Sequence, residues 1–143
     1  MDDLAVRYTI YQTFAKTGAA PSRAAVAGLV GDLRQADACL RRLHDSHSLV
    51  LDDEGEILMA QPFAARPTGH RVVGAGGSWW ANCAWDALAI PAALATDATI
   101  EAIWMDTREV LDLAVRDGTL SSFDGYVHFA IPPRLWWNDI VHT

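Results

Sequence analysis

Thiols are scarce in this chain: its 143 residues include two cysteines, Cys39 and Cys83. Two are too few for a disulfide framework or a four-thiolate zinc site, so free thiols in a reducing compartment are expected. Positive charge is short as well. Eleven Lys and Arg stand against eighteen Asp and Glu, giving a net charge of −7 and a pI near 5.0. That balance lacks the basic footprint that nucleic-acid binding needs. No apolar run approaches the ~20 residues of a membrane span. The start, Met1-Asp2-Asp3, is acidic where a signal peptide is basic. The expectation is a cytoplasmic protein without a membrane partner. Repeats and low-complexity tracts are absent, and His44, His47, His70 and His128 show no metal-ligand spacing. What is present is an apolar fraction of 51%, in a chain long enough to bury a core without staples.

The composition shifts near Arg66-Pro67-Thr68-Gly69 and again at Gly74-Ala75-Gly76-Gly77, which divides the chain into modules 1–66 and 67–143, with His70 in the join. The first module reads as three helices and a hairpin. Val6, Ile10 and Phe14 recur at helical spacing before the stop at Gly18. Ser22 is a candidate N-cap for a helix burying Val26, Leu29 and Val30, which Gly31 ends. Leu33, Ala36, Leu40 and Leu43 line one stripe of a third helix that also carries Cys39. Leu49-Val50-Leu51 and Ile57-Leu58-Met59 flank an acidic turn, as a β-hairpin. This order is that of a winged helix. Asp32, Asp37 and Asp45 interleave with Arg34, Arg41 and Arg42, and the wing carries Asp52, Asp53, Glu54 and Glu56. These acids weigh against DNA and favour a packing or homodimerisation platform.

In the second module a helix is expected from Asn82, its candidate N-cap, to about Ile90, with Pro91 near its end. Strands are expected at Ile100–Trp104, Val110–Val115 and Tyr126–Ile131, and a fourth is expected to begin within Trp136–Val141. The fold class is therefore α+β: a winged-helix-like module, then one helix and a small antiparallel sheet. The chemistry concentrates in Trp79-Trp80-Ala81-Asn82-Cys83-Ala84-Trp85-Asp86. Residues at i and i+3 share a helix face at roughly 5–6 Å between Cβ atoms, so Cys83 and Asp86 are placed to act on one small substrate. Unpaired amides at a helix start favour a thiolate, whereas the neighbouring carboxylate opposes it, so the pair is suited to sharing a proton.

Asn82 to Pro91, reading Asn-Cys-Ala-Trp-Asp-Ala-Leu-Ala-Ile-Pro, resembles the active-site segment of the alkylmercury (organomercurial) lyases. Pro21 to Arg23 and the closing stretch Val127 to Val141 extend the likeness. The resemblance implies protonolysis of a carbon–mercury bond. Cys83 would be the catalytic thiolate and mercury ligand, and Asp86 would relay the proton. No cofactor would be required beyond mercury or another soft metal ion held at Cys83. It also implies a second capturing cysteine, and no thiol follows Cys83 in this sequence.

Plainer readings stand beside these. A cysteine in an apolar segment is commonly a small buried hydrophobe, and Asp86 would also stabilise a helix start as a first-turn charge. Tryptophans mostly pack cores; Trp79, Trp80 and Trp85 are nonetheless pocket candidates, with His128 from the closing stretch. The alternative function is a non-catalytic trap for a soft metal ion or small hydrophobic molecule, the winged helix serving interaction or regulation.

Overall fold

A computed structural model describes residues 1–104, 106–121 and 124–141. Helix α1 (Asp3–Thr17) starts where the Asp2 carboxylate accepts from the Ala5 amide and ends at Gly18, which adopts φ 72°. A Cβ at Gly18 would lie 2.2 Å from the Ser78 carbonyl oxygen, so close approach and backbone conformation both demand glycine. Helix α2 (Arg23–Val30) is capped by the Ser22 hydroxyl and stopped by Gly31. It buries Val26 and Ala27, whereas Leu29 and Val30 are only partly covered. Helix α3 (Leu33–Asp45) is capped by Asp32 and buries Ala36, Cys39, Leu40 and Leu43. Leu33, expected in that stripe, is exposed in the first turn.

Strands β1 (Val50–Leu51) and β2 (Ile57–Ala60) form the expected hairpin. The Asp52 carboxylate holds its turn by accepting from the amides of Glu54 and Glu56. The following strands are β3 (Phe63–Ala64), β4 (Arg71–Gly74), β5 (Gly77–Ala81), β6 (Ala98–Ile103), β7 (Val110–Arg116) and β8 (Thr119–Leu120). All pair antiparallel in one sheet of order β1-β2-β3-β5-β4-β6-β7-β8. The stretch read as a join between modules is therefore largely a hairpin, with Gly74-Ala75-Gly76-Gly77 as its turn. Its glycines signalled a tight reversal rather than a linker. The sheet runs continuously across position 66, and one hydrophobic cluster joins Phe14 and Leu40 to Val72, Ile90 and Ile100.

Helix α4 (Ala84–Leu94) packs on β4, β5 and β6. Two details differ from expectation. Cys83, not Asn82, occupies the N-cap, with extended φ −150° and ψ 178°, and the helix runs through Pro91 for three more residues. Tyr126–Ile131 is not a strand, and Trp136–Val141 does not begin one. Their place is taken by irregular chain followed by a 3-10 helix, Pro133–Asn138, with proline at its start. All six residues Tyr126–Ile131 border a cavity instead of joining the sheet. The 3-10 helix reaches back to the first helices: Trp137 stacks on His47 with centroids 3.8 Å apart and meets His44 edge-on. Neither histidine is simply solvated, since His44 Nδ1 also accepts from the Leu51 amide.

Candidate active site at the start of α4

The β3–β5 and β4–β5 ladders deliver the chain to this site. Phe63 pairs with Ala81, and Arg71 with Trp80. The Ala81 amide then donates to the His70 carbonyl at 3.0 Å, extending the ladder by one position. Thr68 Oγ1 clamps the same corner, donating to the Ala81 carbonyl at 2.6 Å and accepting from the His70 amide at 3.1 Å. His70 and the Asn82-Cys83 step are thereby fixed side by side where β5 turns into α4.

A cavity of about 580 Å³ opens beside this corner. Ile100 and Ala102 of β6 and Leu111 and Leu113 of β7 form its apolar floor. Asn82, Cys83, Trp85 and Asp86 line it from the start of α4, and Tyr126–Ile131 with Trp136 form the opposite wall. That wall is held by rings: Phe129 meets Trp85 edge-on at 6.4 Å and lies 5.1 Å from Trp136.

Cys83 and Asp86 stand at the N-cap and third helical position of α4, both half-buried, and both line the cavity. Burial pushes the Cys83 thiol above its ordinary pKa; the amides of Asp86 and Trp85 pull it back, and the Asp86 charge pushes it up again. Burial likewise raises the Asp86 carboxyl, while hydrogen bonding from Asn82 and then from Cys83 opposes the rise. Each group favours its protonated form, and each bears on the other's proton. Both pKa values are thus shifted toward the protonated form next to an apolar chamber.

Asn82 has a different role from the cap expected of it. Its Nδ2 donates to Asp86 Oδ2 at 2.9 Å and to the Phe63 carbonyl at 3.4 Å. Its Oδ1 is buried without a partner, as is Nδ1 of His70. Among the described residues these are the two such atoms, and both residues line the cavity. Burial lowers the His70 pKa, favouring neutral imidazole. Position in a presumed linker hid His70; the strand register that places it is a long-range fact.

Of the other candidates, Trp85 and His128 line the cavity. Trp79 and Trp80 do not line it. Trp79 is buried on the α1 side of the sheet, its Nε1 donating to the carbonyls of Phe14 at 3.0 Å and Ala15 at 3.2 Å. Trp80 lies under the Arg71 guanidinium, 5.8 Å from ring centroid to Cζ. Cys39 is buried in α3, where burial and the Asp3 carboxylate raise its pKa to about 11. No group of three His, Cys, Asp or Glu among the described residues forms a metal cluster. No helix among them is long and apolar enough to cross a membrane.

A solved structure described as the mercury-bound form of MerB2 matches this fold with a TM-score of 0.67 at 21% identity. The match covers 84% of this chain and 58% of that one, so this chain spans less than two thirds of that protein's length. No curated protein matches the chain. The family model described as MerB, alkylmercury lyase, matches residues 63–143, more than half of the sequence and all of the cavity's helical side. On that match the chain belongs to the alkylmercury lyase family.

Proposed function

We propose that the protein cleaves the carbon–mercury bond of small organomercurials by protonolysis. The observation that carries this reading is the placement of Cys83 and Asp86 on the first turn of one helix, lining one largely apolar cavity. The Cys83 thiol passes its proton to the Asp86 carboxylate as its sulfur binds the mercury of R–Hg–X, releasing X⁻. The Asp86 carboxyl, whose pKa burial raises, then delivers that proton to the carbon. The electron pair of the C–Hg bond becomes the new C–H bond, RH departs, and Hg²⁺ stays on sulfur beside the Asp86 carboxylate. A thiol from solution removes the metal. Trp85 and His128 border the space for the organic group, and no cofactor is needed. The partner in this reading is a small molecule in a reducing cytoplasm, where free Cys39 and Cys83 persist. The helical module serves as a platform. Of its cations, Arg23, Arg42 and Arg66 are paired with Asp37, Asp3 and Asp52.

A second reading is favoured by one observation: among the described residues Cys83 is the single thiol lining the cavity. Capture by two sulfurs is then not available there, and the same site would act as a stoichiometric trap for a soft metal. Incubation with phenylmercury in excess thiol separates the two. Catalysis predicts benzene above the thiol-only background, abolished in Cys83→Ser. Binding of one mercury per chain with no benzene refutes the lyase reading and supports the trap.

A further inference from the structure

The geometry points to Asn82 as a positioning residue that sets which oxygen of Asp86 faces the reacting atoms, an inference that rests on the protonolysis reading. Nδ2 of an amide carries two protons, and here both are committed: one to Asp86 Oδ2 at 2.9 Å, the other to the Phe63 carbonyl at 3.4 Å. The second bond anchors the amide to β3, an element outside the helix that carries the acid. Rotating the amide by half a turn would set Oδ1 against two acceptors, so the orientation is fixed.

The consequence is visible at the other end of the group. Oδ1 is buried with no partner, a state that leaves its desolvation uncompensated. Packing alone gives no reason to keep an amide there, since an apolar side chain would avoid the orphan oxygen. The arrangement instead serves Asp86: Oδ2 is tied down, which leaves Oδ1 to serve Cys83 and the cavity that both residues line. A proton donor fixed in this way need not search rotamers when the substrate arrives.

The experiment uses Asn82→Ala, Asn82→Asp and Asn82→Ser in the full chain, with melting temperatures measured alongside. In phenylmercury turnover, loss of the donor lowers kcat at least about tenfold with KM nearly unchanged. Asn82→Asp, the closest in shape, is the most impaired, because its carboxylate repels Asp86. A merely structural role predicts the opposite order, with Asn82→Asp the best tolerated and activity following melting temperature, and that result overturns the proposal. A second arm needs no turnover: the rate of Cys83 alkylation by iodoacetamide, in a Cys39→Ala background. Asn82→Ala changes this rate when Asp86 is present and not when Asp86 is Ala. Equal effects in both backgrounds overturn the positioning role. Absence of benzene from the parent protein, with this coupling intact, overturns the lyase reading alone.

Discussion

The indole of Trp79 closes the last turn of α1, with Nε1 donating to the carbonyls of Phe14 and Ala15 at 3.0 and 3.2 Å. A tryptophan next to the reactive segment in sequence thus belongs to the join between helix and sheet. Trp79→Phe removes both bonds and part of a buried ring. It should cost about 2 kcal/mol of stability and leave the Cys83 alkylation rate within about twofold. Thermal melting and alkylation on the same samples check this; a slowed thiol with an unchanged melting temperature would contradict it.

Asp86→Asn tests whether the acid is held at the expense of stability. A carboxyl whose folded pKa is raised binds its proton more tightly folded than unfolded. Its contribution is full below the unfolded value of 3.8 and is lost as pH rises through the folded pKa. The amide variant has no such loss. It should melt higher than the parent at pH 7, with the gain vanishing near pH 3 and benzene formation abolished. Melting curves across that range are the measurement.

The two thiols should separate cleanly. Cys39 is 2% exposed, its pKa raised to about 11, whereas Cys83 borders the open cavity. Iodoacetamide at pH 8 should modify one site in the folded protein, identified as Cys83 by peptide mass, and both sites in denaturant. Modification of Cys39 first would contradict the placement of α3.

His70 gives an acid-side signature. Burial lowers its folded pKa, so protons favour the unfolded chain as pH falls below 6.5. His70→Gln should flatten the pH dependence of melting between 6.5 and the lower folded value. An unchanged slope would show that the ring is not desolvated.

These tests turn on residues of very different legibility. The cap at Ser22, the stops at Gly18 and Gly31, and the apolar repeat of α1 are local signals, and the helices follow them. The Cys83–Asp86 spacing is local too, and survives a one-residue shift of the cap because both residues stay on the first turn. Trp79 and Trp80 were not separable from the pocket by sequence: their sides depend on the register Trp80↔Arg71 and on α1 lying beneath. His70 likewise becomes a site neighbour only through Ala81. The strand expected at Tyr126–Ile131 fails for a related reason. A mostly apolar stretch serves a cavity wall as well as a ladder, and pairing partners are a property of the whole sheet.

The ring-to-ring seam of Trp85, Phe129 and Trp136 has a consequence for traffic. Surfaces that meet through aromatic rings separate without unzipping any strand. The work of separation scales with apolar area and therefore shrinks as the solution is cooled. Trimming Phe129 to Ala should accordingly change how fast reagents reach the sulfur while the protein as a whole melts almost where it did before.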